Sequence, residues 1–314
     1  MRRGAPPGLR LDVGRVPAFA RVEGSPRGLA LSPASAPDGE TAPGSDLSLV
    51  HGAPIPLHEI AVVAGGQLAV GSSPGVAHTF RLPGVEPVHD RRPPGLARAV
   101  GAVLSNAALL EADDGWRAVV LPSLGDIAAE LGGGPVALRG DARRLAVGAG
   151  GRITEVALPE GVEDAEHEVE ADALCFAGEV LVLARGAAVG PVGVEPSEGS
   201  PVVALAGAAS APRAAALHED GAISLWSAEG ERLAAWRAPL AEPRGLALSA
   251  DGETVALAGG GEDSPVAALL RASDGAWVRR VEGARGISPS PDGAGVALCG
   301  DWGAVWLKTV EEEE

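Results

Sequence analysis

The sequence predicts an all-β protein assembled from a repeated four-stranded unit. Three observations lead there. Apolar segments are short, about five to eight residues, and turn residues interrupt them along the whole chain. Gly (45) and Pro (26) are abundant without a collagen-like period, as a turn-rich chain requires. The phrase PRGLALS occurs twice, at residues 26–32 and 243–249, and each copy lies near an Asp-Gly-Glu-Thr run, at residues 38–41 and 251–254.

The unit is clearest over residues 243–283. RGLALS, ETVALAGGG, SPVAALLRASDG and AWVRRVEG read as four strands joined by Gly-containing turns, an antiparallel meander. The next unit, ARGISPSPDG, AGVALCG and AVWLKTV, has three strands. The same grammar recurs upstream over residues 95–134, 135–170 and 201–238. First strands start near residues 27, 59, 95, 135, 171, 202, 244 and 284, a period of roughly 31–42 residues. Four strands at that period are the signature of radial blades, so the predicted fold is a β-propeller. Eight starts favour eight blades over seven, although the units near 27–58 and 171–200 each lack a clear strand. The Ala-rich stretch LARAVGAVLSNAALLEA, residues 96–112, has helical propensity. Gly101, Asn106 and the turns downstream favour strands there.

Strand order follows from composition. First strands converge on an axis where backbones crowd, and GLALS, AVVAGG, PVALRG and PVVALAG supply small residues. Fourth strands form an outer edge that must not pair with other chains. The charges of VEDAEHEVE, AWVRRVEG and ERLAAWRA discourage such pairing.

HEDGAISLWSAEGERLAAW (218–236) and SADGETVALAGG (249–260) resemble bacterial WD-repeat β-propellers. The matching features are the Asp-Gly turn, an apolar strand ending in Trp226 and a second turn at Glu229-Gly230. Asp292-Gly293 and Trp306 match less fully. No Gly-His dipeptide opens a blade, and the Trp-Asp pair reads Trp226-Ser227 and Trp306-Leu307. Much of the His-centred hydrogen-bond network of eukaryotic members is therefore expected to be missing. The resemblance implies a rigid propeller that binds partners, most often with seven blades.

The repeated phrase predicts how the ring closes. AFARVEG precedes the first copy, and AWVRRVEG precedes ARGIS. Residues 17–23 are therefore expected to complete the final blade. Residues 1–310 then form a single propeller domain, with residues 311–314 an acidic tail.

Formal net charge is −17. Nucleic acid and anionic membranes demand a cationic face, and pairs such as Arg91-Arg92 and Arg279-Arg280 are too scattered to make one. No apolar run reaches the ~18–20 residues that span a bilayer. The start MRRGAPPGLRLDVG lacks the apolar core of a signal peptide. Residue usage, with one Lys and no Tyr, fits a GC-rich bacterial genome. A cytoplasmic, monomeric protein is expected.

Chemistry-bearing motifs are sparse. GSSPG, residues 71–75, matches the G-x-S-x-G nucleophile pattern at Ser73, but a strand follows Pro74 where that motif needs a helix. EDAEHEVEAD, residues 163–172, reads as a solvated outer strand. None of the six His has metal-ligand spacing, and Cys175 and Cys299 sit in apolar runs as buried thiols. The Gly runs lack the Lys and Ser/Thr of a phosphate loop. No catalytic residue, metal or cofactor is assigned.

Function is therefore sought on the rim. Turns between second and third strands share a face with connections from fourth to first strands. Asp90, Arg91, Arg92, Trp116, Glu262, Asp263, Asp301 and Trp302 fall there as candidate contacts with a protein partner. Trp116 and Trp302 either stand exposed or fold back onto their own blades. The leading expectation is a non-enzymatic protein–protein interaction scaffold. The alternative is an enzyme or small-ligand binder with its site at the central channel mouth. That alternative needs ionisable residues at inner-strand ends, and the first strands read as small and apolar. A third reading is a structural domain of a larger assembly.

Overall fold

A computed structural model describes residues 15–16, 19–25, 28–34, 47–93, 95–96, 98–128, 131–158 and 160–309. The acidic tail at residues 311–314 and the run at residues 38–41 lie outside them. The described residues form seven sheets arranged as a seven-bladed β-propeller. The inner strands are Glu59–Val63, Arg98–Gly101, Val136–Leu138, Ala173–Ala177, Val202–Gly207, Gly245–Leu248 and Gly286–Pro289. They number the blades first to seventh. The last of these, Gly286–Pro289, lies against the first, Glu59–Val63. Residues 96–112 are strands, as the turns demanded.

Most blades are four-stranded antiparallel meanders. The fourth has three named strands, ending at Ala188–Pro191, which is why no fourth strand was legible before residue 200. The core is divided among the blade interfaces. Seven apolar clusters occur among the described residues, one between each pair of neighbouring blades. Each sheet thus buries both faces, which is why its middle strands read as continuous apolar runs such as AALLEA and TVALAG.

Among the described residues there is no eighth blade, and the strands within 27–58 belong to the sheets of other blades. Gly28–Pro33 pairs with Phe19–Ser25 as a hairpin on the outside of the sixth blade. Leu47–Ala53 runs antiparallel to Gly303–Thr309 as the fourth strand of the seventh blade. The closing strand expected at residues 17–23 is therefore corrected. Pro17 and Ala18 lie outside the described residues. Phe19, Ala20 and Arg21 pair in parallel with Arg280, Val281 and Glu282 of the sixth blade. Phe19–Ser25 is a strand, as its composition requires, but local sequence does not name a strand's partner.

Inner strands do crowd. Gly207 ends the inner strand of the fifth blade, and a Cβ there would lie 2.0 Å from the Phe176 carbonyl oxygen of the fourth. Backbone cannot retreat as a side-chain tip can. Gly207→Ala is expected to cost about 1–3 kcal/mol by overpacking, read as a lower urea midpoint with unchanged m-value.

The fifth blade carries a His-centred network despite the departures in its sequence. Trp226 donates its indole N–H to Ser224 Oγ at 2.7 Å. His218 Nε2 lies 2.7 Å from the same oxygen, and its Nδ1 lies 2.8 Å from the Ser200 carbonyl. Ser224 is buried, so the network satisfies polar atoms inside the blade. Among the described residues, no helix is long and apolar enough to cross a membrane.

Candidate functional site

Antiparallel alternation puts two sets of loops on one face of the ring: the second-to-third-strand turns and the connections into the inner strands. The channel opens there into a cavity of about 380 Å³. Its polar lining comes from four consecutive blades. Arg244 precedes the sixth inner strand and Arg285 the seventh. His58 and Glu59 stand at the start of the first, and Arg98 begins the second. Val100 and Ala247 give it an apolar floor and are exposed to the channel.

Each guanidinium is held differently. Arg285 donates from Nε to Asp301 Oδ1 at 2.8 Å and from Nη2 to Oδ2 at 2.9 Å, a bidentate pair that fixes its plane. Its Nη2 also reaches the Glu262 carbonyl at 3.4 Å. Arg244 donates one bond, from Nη2 to Glu242 at 2.9 Å. Arg98 Nε lies 3.7 Å from Glu59 Oε1, an ion pair longer than a hydrogen bond. The Arg285 hydrogen bonds hold the Asp301 carboxyl below the usual range. Burial pushes the Glu59 carboxyl up; Arg98 opposes this, and Glu111 adds to it.

The predicted contact residues divide. Asp90, Arg92, Glu262, Asp263 and Asp301 are exposed. Arg91 is an inter-blade tie, donating to the Leu124 carbonyl at 2.7 Å and to Asp126 Oδ2 at 2.9 Å on the second blade. Trp116 is half-buried against the cluster between second and third blades. Trp302 is buried and donates its indole N–H to the Gly283 carbonyl at 2.8 Å. Its ring folds back onto the seventh blade, because that hydrogen bond and the apolar cluster leave little for the rim to offer.

The remaining motifs are structural. Ser73 closes a hairpin whose Gly75 has φ +75°, and its hydroxyl lies 3.0 Å from His78 Nε2. Burial lowers the His78 pKa, against the pull of Asp90. Neither residue lines the cavity. The acidic cluster begins in the exposed outer strand Val162–His167 of the third blade. His167 Nε2 lies 2.9 Å from the buried Glu155 carboxylate. Both cysteines are buried free thiols, pushed up by burial. Among the described residues, no group of three or more His, Cys, Asp or Glu is arranged to hold a metal ion.

Sequence reasoning missed the mouth. The inner strands themselves are small and apolar, and the polar residues of the mouth lie at their entries. A signal existed: Arg244-Gly245-Leu246 and Arg285-Gly286-Ile287 place Arg at the same step of the repeat, and Arg98 falls beside it. No family model matches this chain, and no curated protein matches it.

Proposed function

We propose that this chain is a non-enzymatic recognition propeller whose ligand site is the mouth of the central channel. One observation carries the reading: His58, Glu59, Arg98, Arg244 and Arg285, from four consecutive blades, line one cavity. Small, apolar inner strands favour the rim, but the ionisable residues at their entries favour the mouth. A volume of about 380 Å³ lies in the range of small-ligand pockets. The rim supports the second reading, a protein scaffold. Exposed Asp90, Arg92, Glu262 and Asp263 surround the same face, and the WD-repeat-like units fit that role.

The two readings part in a thermal-shift screen of small molecules against the wild type and an Arg98→Ala/Arg244→Ala variant. A true ligand at about one hundred times its Kd stabilises by about 2.7 kcal/mol, which is roughly 5 °C for a domain of this size. The shift is expected in the wild type and lost in the variant. Hits that survive the double substitution would refute the mouth. A protein partner released by charge reversal at Glu262 and Asp263, and indifferent to the arginines, would favour the scaffold. Turnover of a panel compound that disappears in Glu59→Gln would replace binding with catalysis.

A further inference from the structure

We infer that the mouth takes a small organic anion, its carboxylate or phosphate oxygens held by Arg98, Arg244 and Arg285 and its apolar body turned toward Val100 and Ala247. This rests on the reading of the mouth as the ligand site.

The donor inventory points to an oxyanion. A guanidinium has five N–H donors in a planar fork and no acceptor. Among the described residues the Arg98 guanidinium makes no hydrogen bond and that of Arg244 makes one. Arg285 spends Nε and Nη2 and keeps Nη1. Most donors of three cations therefore face water in a partly enclosed cavity, where a charged acceptor gains more than it would on open surface. Asp301 does for Arg285 what a positioning residue does in an anion site: it fixes the fork before the ligand arrives.

Charge bookkeeping decides which carboxylate competes. Asp301 and Glu242 are about two-thirds exposed, so water screens much of their charge, and the bidentate contact with Asp301 leaves Arg285 the least available of the three cations. Glu59 sits deeper and opposes the ligand directly, 3.7 Å from Arg98. Its protonation removes a like charge and frees Arg98. Anion affinity should therefore rise as pH falls through the Glu59 pKa, which lies above the ordinary carboxylate value. The groups facing Glu59 are Arg98 and Glu111 of the second blade and Cys299 of the seventh, with His58 beside it. Cys299 is a buried thiol whose pKa is pushed up, so it stays neutral over this range.

The test is isothermal titration of the full chain at pH 5 and pH 8. The probes are a four-carbon dicarboxylate, inorganic phosphate and a neutral four-carbon diol. Both anions, or one of them, are expected to bind, and the diol not at all; the pH dependence of the wild type is compared with that of Glu59→Gln, so that the probes' own loss of charge between pH 8 and pH 5 cancels. Which anion binds separates the carboxylate source from the phosphate. Arg98→Gln and Arg244→Gln should each weaken binding by about ten-fold or more. Both residues are half-exposed, so the fold should survive, and circular dichroism checks that it does. Glu59→Gln should bind more tightly than the wild type at pH 8 and lose the part of the pH dependence that belongs to Glu59, and His58→Gln should keep it. Failure of both anions to bind, or equal binding in the two arginine variants, overturns the anion inference. If the diol binds instead and shifts the amides of Gly260 and Gly261, the anion chemistry fails and the mouth stands. If ligand-induced shifts map away from the mouth, the underlying reading fails as well.

Discussion

A chain lacking residues 1–53 is expected to unfold, whereas one lacking residues 1–33 should remain folded. The longer deletion removes Leu47–Ala53, which pairs along the length of Gly303–Thr309. Without it the seventh blade ends on an open edge, and the hydrogen bonds along Gly303–Thr309 lose their partners. At about 1 kcal/mol per hydrogen bond, with lost packing added, the deficit reaches roughly 5 kcal/mol, the lower end of ordinary domain stability. The shorter deletion removes a peripheral hairpin and the two-residue strand Arg15–Val16, which pairs with Leu47 and Ser48 on the outer side of the seventh blade. That hairpin meets the sixth blade through three parallel pairs, the buried Ala20 and the ion pair of Arg21 with Glu282. Arg21 is more than half exposed, so its pair contributes at most about 1 kcal/mol, and the total loss should be about 1–2 kcal/mol. Urea denaturation of both truncations settles the matter. Equal midpoints for the two would show that Leu47–Ala53 carries no special weight.

Trp306→Ala is expected to be the most damaging single substitution of a tryptophan, at about 3–5 kcal/mol. Trp306 is 2% exposed and sits in the cluster where the seventh blade meets the first, with Leu57, Ile60, Val62 and Phe80. Two hydrogen bonds cross the same interface: Leu57 N–H donates to the Gly300 carbonyl at 3.1 Å, and Val62 N–H donates to Ser288 Oγ at 2.9 Å. A cavity there should loosen both. Trp116→Ala, at a half-buried site, should cost visibly less. Calorimetric melting of the two variants gives the comparison, and a smaller loss for Trp306 would be inconsistent with this account. The consequence extends to the site. Arg285 belongs to the seventh blade and Glu59 to the first, so a loosened interface displaces one side of the mouth from the other. Trp306→Ala should therefore weaken ligand binding even at temperatures where it stays folded.

Much of the propeller was legible because its punctuation is local. Inner strands read near residues 59, 95, 135, 171, 202, 244 and 284 begin at Glu59, Arg98, Val136, Ala173, Val202, Gly245 and Gly286. Gly turns and alternating short apolar runs fix those positions within a few residues of sequence. The blade count was not legible in the same way. Eight segments have first-strand character, and only seven lead blades. The mouth was hidden for a related reason: Arg98, Arg244 and Arg285 are 41 to 187 positions apart, and none is unusual alone.

The two copies of PRGLALS show where the division lies. Both become strands, as their composition requires: Gly28–Pro33 and Gly245–Leu248. They occupy opposite edges of the same six-stranded sheet, one on the outside and one beside the channel. Strand character, turns, the repeat and the acidic balance are legible in the chain, because they depend on composition and on residues close in sequence. The partner of each edge, the number of blades and the meeting of three arginines at one opening emerge with the assembled ring. A backbone edge pairs with whichever complementary edge the assembled ring leaves open, and nothing in a strand's own residues names that edge.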